Sequence, residues 1–133
     1  MGIRFEKDSI LNWINEMGKF LRLWVDQWES FDEDKDLTLL KNGYQEYFNI
    51  DRAILLNFTE EELKNHTSKN LQIEQIRPLA LLFMYDGLLN SDTEEQQNLL
   101  QKAKFLLEDV AQQTGNFSFE DFGHLKTIGD HLK

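Results

Sequence analysis

The sequence predicts an all-α protein, and three observations lead to that prediction. Apolar residues recur at spacings of three and four over long stretches, which is the pattern of amphipathic helices. Helix-capping sequences precede several of these stretches, at Asp51, Thr59 and Ser91. The chain of 133 residues has one proline and seven glycines, too few for the many turns of a sandwich or barrel. We therefore expect residues 1–133 to form a single-domain bundle of about six helices.

The first predicted helix runs from about Asp8 to Trp28. Its apolar residues form a stripe of roughly 180°, wider than the ~100° typical of a surface helix, which predicts packing against two neighbours. The stripe consists of Ile10, Ile14, Met17, Leu21, Trp24 and Trp28, widened by Leu11, Trp13, Phe20 and Val25. Leu23 falls outside this stripe, so it is either an isolated surface leucine or part of an oligomer contact.

A charged linker from Ser30 to Asp36 separates this helix from three shorter ones. The second helix has an apolar face that consists of Leu37, Leu40, Tyr44, Tyr47 and Phe48. Asp51 is expected to cap a short helix through Leu56. The sequence Thr59-Glu60-Glu61-Glu62 predicts a capping box for the next helix, which should end between Asn65 and Asn70.

Two long helices are predicted to form an antiparallel hairpin. From Leu71 to Leu89 the apolar residues face every direction, which indicates a buried helix. Because Pro78 has no backbone N–H, we expect this helix to run from about Arg77 to Asn90, with a bend at Pro78 as the alternative. The sequence Ser91-Asp92-Thr93-Glu94 predicts a capping box for a second helix that ends before Gly115.

The last two helices carry the remaining aromatic residues of interest. Phe105 falls on the side of the second hairpin helix that carries lysines and acids, which makes it a candidate interface residue. A terminal helix is predicted from Ser118 to Leu132, and its expected inward residues are Phe119, Phe122, Leu125, Ile128 and Leu132.

Composition excludes several classes of function. A formal net charge of −10 would repel phosphate backbones and anionic lipid, so we expect neither nucleic acid nor a membrane as a partner. The absence of cysteine excludes disulfides, thiolate zinc sites, iron–sulfur clusters and thiol nucleophiles. The longest apolar run, Leu79 to Met84, is far shorter than the ~20 residues that span a bilayer. With no secretory signal at the N-terminus, a cytoplasmic location is the default expectation.

No motif in the sequence predicts a catalytic residue, a cofactor or a metal ligand. The acidic run from Asp32 to Asp36 begins like a calcium loop, but Leu37 and Gly43 stand where such a loop needs Gly and Glu. Asp121-x-x-His124 occurs once, whereas dinuclear metal sites in bundles need two such motifs on different helices. The chain also has no Gly-x-Ser-x-Gly elbow and no phosphate-binding Gly-rich loop.

Two hypotheses of function follow. The first is a non-enzymatic interaction or scaffold module that binds a protein partner or forms a homodimer, through the wide first helix near Leu23 or through Phe105. The second is a small-molecule sensor or enzyme with a pocket between the first helix and the all-apolar helix. That pocket would be lined by Trp24, Tyr44 and Tyr85.

Asp86 could contribute an acid to such a pocket. If it is buried, it needs a partner such as Arg77 or Tyr85. Otherwise Asp86 lies at the solvent end of the hairpin.

Two resemblances support the helical prediction. The hairpin, with Leu79-Ala80, Phe83 and Gly87 on one helix and Leu100 and Ala103 on the other, resembles one degenerate tetratricopeptide hairpin. It differs from that family by about one extra helical turn and by the lack of a second copy. Together with residues 5–14, 49–63 and 117–121, the hairpin resembles a family of small uncharacterised helical proteins of Gram-positive bacteria. This resemblance implies a tetratricopeptide-like α-helical fold and brings no known activity.

Overall fold

Seven helices follow one another in residues 7–30, 37–116 and 118–132, the parts of the chain that the computed structural model describes. They are α1 (Lys7–Ser30), α2 (Leu37–Phe48), α3 (Arg52–Asn57), α4 (Glu60–Asn70), α5 (Ile73–Leu88), α6 (Thr93–Thr114) and α7 (Phe119–His131). These ranges contain no strand, so the prediction of an all-α bundle is confirmed. The acidic run at 32–36, with most of the predicted linker, lies outside them.

The helix α5 lies at the centre of the bundle and packs against α6 and α1. Its C-terminal Gly87 faces Leu100 near the start of α6, and its N-terminal Ile73 shares a surface groove with Thr114 at the end of α6. The two helices therefore run antiparallel, as the short link between them predicts. The same groove includes Ile14 of α1, so α1 runs in the same direction as α5.

The start of α5 differs from the prediction. The helix begins at Ile73 and contains Pro78 in its interior, so a start at Arg77 is wrong. The side-chain oxygen of Gln75 accepts a hydrogen bond of 2.9 Å from the backbone N–H of the N-cap residue, which holds the new first turn. Burial of Ile76, which is 3% exposed, favours helix before the proline and offsets part of the ~3 kcal/mol that an interior proline costs.

The predicted caps are correct at one position and need correction at two. Thr59 and Glu62 form the expected capping box, with hydrogen bonds of 3.1 and 2.9 Å. Asp51 occupies the N-cap of α3, but its side chain makes no capping hydrogen bond. The N-cap of α6 is Asp92 and not Ser91. Its Oδ1 accepts from backbone N–H groups two and three residues further on, at 3.0 and 3.2 Å.

The prediction that the apolar residues of α7 all face inward is wrong. Phe119 is 93% exposed and Phe122 is 59% exposed, whereas Ile128 is fully buried. Asp121 takes an inward position instead, because its Oδ1 accepts a hydrogen bond of 2.8 Å from Nε of Arg77 on α5. Leu125 and, just after the end of α7, Leu132 are half-buried against the core.

The buried side of α1 is narrower than its sequence pattern indicates. Leu11, expected within the wide stripe, is 51% exposed. Leu23, expected outside the stripe, is 38% exposed. The residues of α1 in the core are Ile10, Met17, Phe20, Leu21 and Trp24.

Candidate functional site

A groove of about 390 Å³ opens between the C-terminal ends of α1 and α5 and the N-terminal half of α7. We call it the aromatic groove. Its apolar and aromatic walls include Trp28, Met84, Tyr85, Leu88 and Phe119, and its carboxylates are Glu29 and Glu120. Three helices that are distant in the sequence therefore each contribute one large aromatic ring to one surface depression.

Trp28 is held in the groove wall by contacts between α1, α6 and α7. Its ring meets the ring of His131 edge to face, with the centroids 5.6 Å apart. Nδ1 of His131 donates to the backbone oxygen of Thr127 at 2.9 Å. The side-chain amide of Gln97 on α6 donates to the backbone oxygen of His131 at 2.8 Å. These bonds fix the C-terminal part of α7, and with it one side of the groove.

The rotation of α7 about its axis is set by Arg77. Besides its bond to Asp121, Arg77 places Nη2 3.6 Å from a carboxylate oxygen of Glu120. Because Asp121 points towards α5, Phe119 and Phe122 are carried to the outer side of the helix, three residues apart and therefore neighbours. The ion pair thus explains why Phe119, in the wall of the groove, and Phe122, three residues further along α7, are both exposed.

The charge in the groove is negative at neutral pH. Glu29 is exposed and forms no ion pair with any other residue in the described ranges. Burial, and then the charge of Glu29, raises the pKa of Tyr85, so its phenol is neutral. Burial, with a smaller effect from Arg77, lowers the pKa of His124, so its ring is also neutral. The positive charge of Arg77 is balanced by its two carboxylate partners.

A second groove, of about 380 Å³, lies between α1, α5 and α6. Its apolar wall consists of Ile14, Ile73, Pro78 and Val110, and none of the described residues that line it is aromatic. It therefore has apolar surface but fewer groups that could select a ligand.

Asp86 is the most buried carboxylate in the described parts of the chain, at 3% exposure. Its Oδ2 accepts hydrogen bonds of 2.7 Å from the hydroxyl of Tyr44 and from Nε of Arg52, and its Oδ1 accepts one of 3.1 Å from Nη2. Arg52 also forms an ion pair with Glu95. Asp86 thus has the partners that its burial requires, but they are Tyr44 and Arg52 and not the suggested Arg77 or Tyr85. Its burial also shows that the alternative, a position at the solvent end of the hairpin, is wrong.

The contacts of Asp86 join α2, α3, α5 and α6 at one point. Burial, and then the negative charge of Asp86, raises the pKa of Tyr44 well above its ordinary value of 10.0. The phenol therefore stays protonated and keeps donating to the carboxylate. Since these groups bond to one another, the cluster stabilises the junction of the helices.

Lys102 is a buried amine that the sequence pattern did not single out. It is 6% exposed, and its Nζ donates to the backbone oxygen of Leu56 at 3.3 Å and to the side-chain oxygen of Asn98 at 2.5 Å. Asn98 donates to the same backbone oxygen at 2.9 Å. Burial lowers the pKa of Lys102. Both side chains thus bind a carbonyl at the end of α3, which otherwise lacks a partner in its own helix.

The residues singled out from the sequence lie in different environments. Trp24 and Tyr44 are fully buried in the core, and Tyr85, which lines the aromatic groove, is also buried, at 7% exposure. Leu23 is on the surface of α1. Phe105 packs half-buried against the core and lines a depression between α4, α6 and the end of α7, so it is not an exposed aromatic residue despite its charged neighbours.

Neither a cluster of metal ligands nor a membrane-spanning helix occurs in the described ranges. No group of three or more His, Asp or Glu side chains there is arranged to hold a metal ion. No helix within those ranges is both long and apolar enough to cross a membrane.

Fold and site together define an all-α helical bundle with an exposed groove of aromatic and acidic side chains. Comparisons with models of protein families, with curated proteins and with solved structures found no match to this chain. The resemblance to a family of Gram-positive bacteria stays a prediction, as does the tetratricopeptide-like character of the hairpin.

Proposed function

We propose that this protein is a non-enzymatic interaction module that binds a segment of a partner protein in the aromatic groove. The observation that carries this proposal is the 93% exposure of Phe119 in the wall of the groove, with Phe122, 59% exposed, three residues further along the same helix. Burial of one such ring is worth about 1.5–3 kcal/mol. Aromatic residues are also enriched at the centres of protein interfaces.

Charge favours a different protein over a second copy of this chain as the occupant. In a symmetric dimer built on the groove, the same surface of both copies would meet, and Glu29 and Glu120 of each copy would be brought together. The net charge of −10 adds to this repulsion. An amphipathic helix with an apolar face flanked by basic residues would match both the apolar wall and the negative charge of the groove.

The alternative, a small-molecule sensor or enzyme, is favoured by one observation. The groove has a volume within the range of ligand pockets, ~300–1,000 Å³, and offers the neutral polar groups of Tyr85 and His124. Such pockets bury about 70–90% of their ligand's surface. A wall residue as exposed as Phe119 would leave a small ligand largely uncovered, which supports a protein segment as the occupant.

The proposal is tested with the double variant Phe119→Ser, Phe122→Ser. Binding of amphipathic helical peptides, made in positively charged, neutral and negatively charged versions, would be followed by amide chemical-shift changes on the full chain. We expect the positively charged peptide to shift residues of the groove, and the double variant to weaken its binding about tenfold or more.

The matched control is the double variant Leu39→Ser, Ile54→Ser. These residues are 49% and 50% exposed and lie outside the groove, on α2 and α3. The control should bind the peptide as the unchanged protein does. Equal binding by both double variants, or shifts confined to another surface, would refute the proposal.

A further inference from the structure

Building on the proposed function, we infer that the aromatic groove recognises the guanidinium group of an arginine in the partner segment. Trp28, Tyr85 and Phe119 line one cavity, and two carboxylates line it with them. A cation is attracted to the negative face of an aromatic ring, and this attraction grows as the cation is removed from water. Aromatic walls combined with carboxylates therefore select an organic cation over a neutral apolar side chain.

The carboxylate of Glu29 is the main anionic partner available for that cation. No ion pair to Glu29 occurs within the described ranges, and its charge is close enough to Tyr85 to raise the pKa of that phenol. Glu120 is less available, because it lies 3.6 Å from Nη2 of Arg77. A guanidinium placed against Glu29 would meet a carboxylate that no described residue neutralises, beside an aromatic wall.

The described residues that line the groove include no lysine or arginine, so they bring no competing positive charge to this position. Burial keeps His124 neutral by lowering its pKa. Arg77 donates its Nε to Asp121 at 2.8 Å and is also close to Glu120, so its charge is already balanced. The local charge that a ligand meets is consequently negative.

Arginine fits this site better than lysine. A guanidinium is planar and weakly hydrated, stacks on aromatic faces and can donate two parallel hydrogen bonds to one carboxylate. The ammonium of lysine is compact and strongly hydrated, so it loses more hydration on contact with the rings. The open groove also favours an arginine carried by a peptide, whose apolar neighbours can cover Phe119, over a free small cation.

The test uses a set of peptides that differ at one central residue. An amphipathic peptide with arginine is compared with versions that carry citrulline, which has nearly the same shape without the charge, and lysine. Affinity for the full chain is measured by fluorescence anisotropy of the labelled peptide, and the binding surface by amide chemical shifts. We expect the arginine peptide to bind about tenfold more tightly than the citrulline peptide, with lysine between them.

Two variants test whether the preference for the arginine peptide arises in the groove. Glu29→Gln should weaken the arginine peptide about fivefold and leave the citrulline peptide unchanged. Phe119→Leu, which keeps an apolar side chain without a ring, should also reduce the preference for arginine. The control Glu61→Gln makes the same change at an exposed position on α4, outside the groove, and should affect neither peptide.

The outcomes separate this inference from the proposed function. If the citrulline peptide binds the groove as tightly as the arginine peptide, the guanidinium site is refuted and the interaction module stands. If no peptide shifts the groove residues, both are refuted. If free arginine amide displaces the peptide at a comparable concentration, the site recognises a small cation, and its assignment to a protein segment is overturned.

Discussion

A buried carboxylate is tolerated in this bundle because cationic and neutral donors surround it. Asp86 accepts three hydrogen bonds, two from Arg52 and one from Tyr44. An uncompensated charge at 3% exposure would be strongly unfavourable. The sequence showed that Asp86 would need a partner if buried, but Arg52 is 34 residues away along the chain and only folding brings it there.

Asp86→Asn should destabilise the protein by about 2–4 kcal/mol, because Arg52 then loses one of its two carboxylate partners while it stays partly buried. Urea unfolding measures the change. The control is Asp26→Asn, whose pairing with Arg22 at 3.4 Å joins side chains that are 57% and 75% exposed. Since such surface pairs contribute little, the control should change the stability by about 0.5 kcal/mol or less. Equal effects of the two substitutions would contradict the importance of Asp86.

The raised pKa of Tyr44 predicts a loss of stability in alkali. In the unfolded chain this phenol ionises near its ordinary value of 10.0, whereas in the folded protein it stays protonated to a higher pH. The unfolded state therefore binds fewer protons above about pH 10, and the free energy of unfolding falls as the pH rises. Tyr44→Phe should reduce the steepness of that fall, measured by urea unfolding at several pH values. Tyr47→Phe, at a half-buried position, is the control and should reduce it less. Equal slopes in the unchanged protein and Tyr44→Phe would contradict the prediction.

Phe119 and Phe122 show where apolar periodicity fails as a guide to burial. Their spacing relative to the later apolar residues of α7 fits an inward stripe, and the sequence offers no sign that Asp121 would replace them. The ion pair between Asp121 and Arg77 determines which side of α7 faces α5. Because this contact joins residues 44 positions apart, a pattern read within one helix could not reveal it.

At the scale of the elements, the close approach of α1 and α2 depends on Gly43. A Cβ there would lie 2.5 Å from two atoms of the Phe20 ring. That ring cannot easily move, because it packs against Trp24 and Tyr47 with centroids 5.8 and 5.0 Å away. The glycine thus allows α2 to approach the aromatic cluster of α1.

Gly43→Ala should destabilise the protein by about 1–2 kcal/mol, since the overlap with Phe20 exceeds the gain in helix propensity. Gly18→Ala is the matched control in α1, where a Cβ meets no atom within 4 Å. It should stabilise the protein by about 0.5–1 kcal/mol, because alanine has less freedom to lose on folding. Thermal and urea unfolding measure both changes. A stabilising Gly43→Ala would show that Phe20 can move aside at little cost.

The positions of the helices follow from the sequence better than their boundaries do. Apolar periodicity and the capping box at Thr59 predict where helices occur, because both depend on residues within one or two helical turns of each other. The boundary of α5 could not be predicted in this way. Local rules place Pro78 at a helix start, whereas burial of Ile76 against the rest of the bundle favours an earlier one.

At the scale of the whole molecule, the aromatic groove is a product of tertiary structure. Of the four pocket residues expected from the sequence, Tyr85 lines the groove, whereas Trp24, Tyr44 and Asp86 are buried away from it. Trp28 could not be recognised as a groove residue, because its position in the stripe of α1 is that of a core residue. Only the arrangement of α1, α5 and α7 shows that it meets Tyr85 and Phe119 at one depression.

The charge of the molecule predicts that it is a monomer. At −10, two copies repel each other most strongly at low ionic strength, where screening is weak. We therefore expect a monomer by light scattering at low salt, in the unchanged protein and in the variants Leu23→Ser and Phe105→Ser. Phe105→Ser should also lower the free energy of unfolding by about 1–2 kcal/mol, because its ring is half-buried against the core. If the unchanged protein is a dimer that either substitution dissociates, apolar contacts at Leu23 or Phe105 outweigh the repulsion. Self-association through the substituted residue would then be supported as the function.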